Sequence, residues 1–176
     1  VKDFYEFAKT VDISTIPFIA EAIDLNVKLA NAGIEEQMGG KFGIGIGKLQ
    51  GNQMYLKAKA LAAAASDARM SGKKLSAMSC AKSGNVGIAA SLPLVAVAEG
   101  LGKSREELIR AVCLSYFMTI YVKAHIGRLS AMCACAIAAS IGVGAGTSFL
   151  MGDGLEQIGM TVKNLVGSIG GILCDG

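Results

Sequence analysis

The chain has 176 residues, 52% of them hydrophobic, with 23 glycines, eight methionines and no tryptophan. Its net charge is only +3 and its Lys and Arg are scattered; without a basic stripe or an aromatic platform, nucleic-acid binding is excluded. Five cysteines with no C-x-x-C pair and no regular spacing exclude a disulfide framework and read as reduced thiols of a cytoplasmic protein.

Residues 1–176 are about one domain's length of chain, enough for a real core built from small and flexible side chains. Phe4, Tyr5, Phe7, Ala8 and Val11 recur at helical spacing and predict a first short helix. Ser14 or Thr15 caps a second, with Pro17 in its first turn and Gly33 just past its end. The next segment, GGKFGIGIGKLQGN, lacks both the G-K-S/T ending and the preceding strand of a phosphate loop. It reads as a glycine-rich helix or loop lying under another element.

From Met54 to Met70 the chain is strongly helix-forming and carries Asp67 and Arg69, read as an architectural pair. A loop rich in Ser, Gly and Lys follows. Ser83 or Asn85 then caps a helix that Pro93 kinks or restarts. Ser104 and Glu107 form an S-x-x-E capping box opening a long helix to about Lys123. A last helix follows Gly152–Gly154 and runs up to Cys174. No segment alternates like a strand. The expected fold is all-α: a compact multi-helix bundle around a buried Ala/Gly-rich central helix.

That central helix is expected over 131–141, in the stretch KAHIGRLSAMCACAIAA (123–139). Cys133 and Cys135 stand two positions apart, about 200° of rotation on a helix, so both face one site only if the helix is broken there. Taken locally, one is a site residue and the other packing, or both are core thiols. The uncharged run 129–152 is long enough to span a membrane. Its Ala, Gly and Ser content suits a buried helix better. The start, VKDFYEFAKTVD, is charged and amphipathic, unlike a signal peptide.

Four motifs in order, ASDARMSG (65–72), SGNVGI (83–88), KAHIGRLSAMCACAIAA (123–139) and CDG (174–176), resemble the C-terminal half of the family of the iron–sulfur L-serine dehydratase alpha chain and L-cysteine desulfidase. The resemblance covers the whole chain. It implies a 4Fe–4S cluster, without pyridoxal phosphate, that eliminates water or sulfide from L-serine or L-cysteine to give pyruvate and ammonia. Carried onto this sequence, it implies that Cys174 is a cluster ligand together with Cys133 or Cys135, with Cys133 favoured. Ser83, Asn85 and Ser130 become substrate-binding residues. Lys123, His125 and Arg128 become catalytic, with Arg128 a further donor for the carboxylate.

The family pattern continues past CDG to another cysteine and has an N-terminal half that is absent here. The resemblance therefore implies a fragment with an incomplete ligand set, without cluster or activity as purified. Its expected partners are a small amino-acid substrate, the remainder of its own polypeptide or a partner subunit, and a second copy in a homodimer. No nucleic acid and no membrane are expected. Against these stand plainer readings: Cys113 as core, Cys80 as an incidental loop thiol, His125 as structural or solvent-facing, and Lys123 and Arg128 as cations at a helix end. The competing functions are a non-catalytic helical module serving packing or partner binding and, behind it, a small membrane protein.

Overall fold

The computed structural model describes residues 1–127 and 130–173. Among them it shows eight α-helices and no strand: α1 (Lys2–Thr10), α2 (Pro17–Glu35), α3 (Phe42–Gly47), α4 (Gln53–Met70), α5 (Gly84–Gly100), α6 (Arg105–Ile126), α7 (Ala138–Leu150) and α8 (Leu155–Ile169). The all-α bundle expected from the sequence is the fold observed.

Helices α5, α6 and α7 form the inside. Helix α5 is apolar nearly all round, the pattern of a fully buried helix, and divides its side chains between two clusters. Val86, Leu94 and Val97 pack with Ile19, Ile23, Val112 and Tyr116, while Ile88, Leu92 and Ala96 pack with Leu29, Leu61 and Ala65. A third cluster joins Ala8, Leu114, Met118, Ile141 and Ile158, so that α1 and α8 cover the outer sides of α6 and α7.

Small residues set how closely the helices approach. Gly33 lies inside α2 rather than past its end, because a Cβ there would collide with the carbonyl of Ala64 on α4. Gly43 of α3 likewise touches Ala60 and Ala64, which explains the glycine-rich segment as a helix pressed onto α4. Pro93 does not restart α5: it lies inside a helix that runs for 17 residues from Gly84 to Gly100. Ser104 and Glu107 make both halves of the capping box.

The central helix differs from expectation. Residues 131–137 form turns, and α7 begins only at Ala138. The helix-forming residues there are overruled by main-chain pairing elsewhere: Cys133 N–H donates to Ile172 O (3.0 Å) and Met132 bridges Leu173. The break also ends the membrane reading of 129–152, since α7 has 13 residues. No helix among the described residues is long and apolar enough to cross a membrane.

Candidate functional site

Two segments meet at one end of the inner layer. The first is the approach to α5. Cys80 and Ser83 exchange both main-chain hydrogen bonds (3.1 Å each) around Ala81 (φ 48°) and Lys82 (φ 67°), the geometry of a type I′ turn. Neither central residue is glycine, so the turn is strained and must be held from outside. Lys123, at the C-terminal end of α6, holds it: its Nζ donates to Ala81 O (3.0 Å). Cys80 is buried behind the turn, with its thiol 3.9 Å from Tyr116 O. The turn delivers Ser83 as the N-cap of α5, where its Oγ accepts from Val86 N–H (3.4 Å).

The second segment leaves α6 at Gly127 (φ 91°). Ser130 Oγ accepts from Met132 N–H (3.0 Å). Ile137 N–H then returns to Cys133 O (2.8 Å) and Ala139 N–H to Ala134 O (3.1 Å), so the two cysteines sit in the turn that starts α7. The helix is broken where the sequence required it to be if both thiols were to share a site.

Between these segments lies a cavity of about 330 Å³ whose wall includes Lys82, Ser83, Lys123, Ser130, Cys133 and Cys135. Five residues singled out from the sequence are therefore brought together. Two are not. Asn85 is turned toward α4, its Oδ1 accepting from Arg69 Nη1 (2.9 Å) and its Nδ2 lying 3.5 Å from Met70 Sδ. His125 is exposed in the last turn of α6, with Nδ1 2.8 Å from Tyr121 O of its own helix and its ring against that of Tyr121. Arg128 and Cys174 lie outside the described residues.

Asp67 and Arg69 do not pair with each other: Asp67 Oδ2 accepts from Gly43 N–H (3.2 Å), while Arg69 reaches across to α5. Lys82 and the strained turn escaped the sequence reading, because SCAKSG places no glycine at the left-handed positions. Larger clefts, of about 560, 540 and 360 Å³, lie along α2, beside Phe42 and between α7 and α8. None of the three is lined by a cysteine.

The thiols fall into two chemical classes. Burial pushes Cys80 up to about 11, only partly opposed by the charge of Lys123, and pushes Cys113 up to about 11 against the charge of Arg110. Both are protonated thiols at neutral pH and poor metal ligands. Cys113 is the core residue expected, whereas Cys80 is buried beneath the turn rather than lying loose on a loop. Cys133 and Cys135 are half-buried at the cavity wall. Among the described residues no three His, Cys, Asp or Glu side chains gather closely enough to hold a metal ion.

Comparison with known proteins matches residues 2–176 to the serine dehydratase alpha chain family. A UPF0597 protein of Caldanaerobacter subterraneus is 45% identical over the whole chain, and one of Clostridium tetani 42% identical, the match covering 41% of each relative. A UPF0597 protein of Desulforapulum autotrophicum is 43% identical over 94% of the chain and 39% of its own length. The chain thus spans about two fifths of the curated relatives it matches. No solved structure matches it. Matched over residues 2–176, the chain belongs to the serine dehydratase alpha chain family.

Proposed function

We propose that the chain forms part of a 4Fe–4S-dependent lyase that removes water from L-serine, or sulfide from L-cysteine, by β-elimination, giving pyruvate and ammonia. The observation that carries this reading is the cavity at which Cys133 and Cys135 meet Ser83, Lys123 and Ser130. The donor chemistry fits a cluster: two half-buried thiols line a cavity that the two deeply buried ones do not line. Cys174, a further ligand in this proposal, follows Leu173 in the sequence, and Leu173 pairs with Met132 beside Cys133. When bound, the cluster supplies a Lewis-acidic iron for the hydroxyl or thiol that leaves.

The chain's own residues supply binding and orientation. Ser83 and Ser130 each accept one main-chain N–H through Oγ and keep the hydroxyl proton to donate to a substrate carboxylate. The N-terminal end of α5 adds the positive end of a 17-residue helix dipole. Asn85 acts in this scheme by fixing Arg69 against the first turn of α5. His125 reaches the substrate only by breaking its contact with Tyr121 O, and Arg128 completes the charged set. The remainder of the polypeptide, or a partner subunit, supplies the other ligands, and the cytoplasm supplies the reducing conditions that keep the thiols available.

The test uses the complete polypeptide that carries this chain, purified without oxygen and reconstituted with iron and sulfide. Pyruvate release from L-serine or L-cysteine, with sulfide in the second case, is the expected result. A fully loaded cluster that releases pyruvate from neither substrate overturns the proposal.

A further inference from the structure

The geometry points to Lys123 as the anchor of the substrate's α-carboxylate, a specificity-determining cation rather than the base that takes the Cα proton. This inference rests on the β-elimination reading above and assigns one residue's role within it.

Lys123 is 8% exposed and lines the cavity that holds Ser83, Ser130, Cys133 and Cys135. Its ammonium has three protons to donate, and one goes to Ala81 O. Among the described residues no carboxylate lies within ion-pair distance of it: every ion pair there uses other cations. A cation buried without a counterion is costly, and the cost is relieved when an anion enters the cavity. The same cavity wall carries Ser83, the N-cap of α5, and Ser130. A buried ammonium and two serine hydroxyls lining one space suit a small carboxylate.

Lys123 also ties recognition to the strained turn. The same Nζ that would meet the carboxylate holds Ala81, and the turn in turn places Ser83. Anchor and cap are set by one side chain.

The test is a comparison of the complete, cluster-loaded polypeptide with its Lys123→Met and Lys123→Arg variants. Lys123→Met is expected to raise KM for the amino-acid substrate on the order of tenfold to a hundredfold, the worth of one charge-assisted hydrogen bond. Its kcat should fall by a smaller factor, the shape of the kcat–pH profile should be kept, and Lys123→Arg should restore most of the KM. Calorimetric titration gives a readout that does not depend on turnover. L-serine should bind wild type at least about tenfold more tightly than Lys123→Met, and L-serinamide, which lacks the carboxylate, should show no such difference. Unchanged cluster absorbance in both variants separates substrate anchoring from cluster binding. The inference is overturned if Lys123→Met keeps the wild-type KM and L-serine affinity, or if it abolishes kcat at unchanged KM without rescue by arginine. A wild-type protein that releases no pyruvate defeats the β-elimination reading instead, and the calorimetry then decides the carboxylate anchor alone.

Discussion

The main-chain N–H of Cys133 donates to the carbonyl of Ile172 across 3.0 Å, joining the turn ahead of α7 to the segment that follows α8. Nearly forty residues of chain close on themselves at this bond, beside the cavity. Because the contact is made by main chain, it fixes Cys133 whatever side chains surround it, and it removes 131–137 from the helix that their composition favours.

If Cys133 is held there as a cluster ligand, its loss should be felt by the cluster and not by the fold. In the complete polypeptide, Cys133→Ser is expected to abolish the iron–sulfur absorbance while leaving the helical circular dichroism intact. Cys113→Ala, made in a core position, should keep the absorbance. Cys135→Ser decides whether one or both cysteines of the pair bind iron. Retention of a full cluster in Cys133→Ser would reject its assignment.

Thiol reactivity offers a check that needs no cluster. With thiols pushed up to about 11, Cys80 and Cys113 are ionised to roughly one part in a thousand at pH 8, and both are buried. Iodoacetamide at pH 8 should therefore label Cys133 in the native protein and reach Cys80 and Cys113 only after unfolding. Peptide mapping by mass spectrometry reads the order directly. Labelling of Cys80 at the rate of Cys133 would mean that the strained turn opens in solution.

The same buried thiols predict an alkaline limit to stability. Below pH 9 the thiols are protonated in both folded and unfolded states, and their contribution is fully present. Between the ordinary value of 9.0 and about 11 the unfolded chain ionises while the folded one does not, so stability falls as pH rises. Each thiol should account for about 1–3 kcal/mol of that fall. Tyr116, pushed up to about 12 chiefly by burial, extends it in the same direction. Urea midpoints from pH 8 to 11 should decline less steeply for Cys113→Ala than for wild type, and parallel slopes would contradict the assignment.

Much of this architecture was legible in the sequence because it is written in local chemistry. The capping box of Ser104 and Glu107 and the helix-forming run of α4 depend on neighbours within a few positions and are found as read, and of the two caps read for α5, Ser83 and Asn85, it is Ser83 that serves. What was not legible depends on distant partners. Gly33 has the look of a helix end, yet it serves the close approach of α4, thirty residues on. The turn at Ala81 and Lys82 carries no glycine and persists because Lys123 holds it. For the candidate site, the resemblance singled out Ser83, Lys123, Ser130, Cys133 and Cys135, which line one cavity, although the two-residue spacing of the cysteines points to one of them alone, with Cys133 favoured. Neither gave warning that Asn85 turns to Arg69 or His125 to Tyr121, because side-chain direction at a helix end is decided by packing.

The inner layer makes a final prediction through two glycines of opposite kind. At Gly142 of α7 a Cβ would collide with the Ser115 carbonyl and the Thr119 hydroxyl of α6. Thr119 Oγ1 is buried there with no hydrogen-bond partner among the described residues, so the two helices meet at this point through backbone and oxygen alone. Alanine at 142 must push α6 and α7 apart, and overpacking of this kind costs about 1–3 kcal/mol. Gly159 of α8 meets nothing within 4 Å of an added Cβ. Alanine there removes flexibility from the unfolded chain and should stabilise by about 0.5–1 kcal/mol. Since α7 begins at the turn that holds Cys133 and Cys135, Gly142→Ala should also loosen cluster binding in the complete polypeptide, which Gly159→Ala should leave untouched. Chemical denaturation of both variants beside wild type measures the first pair of effects, and cluster absorbance the second. Equal stability of the two variants would show that α6 and α7 do not pack at the distance the glycine permits.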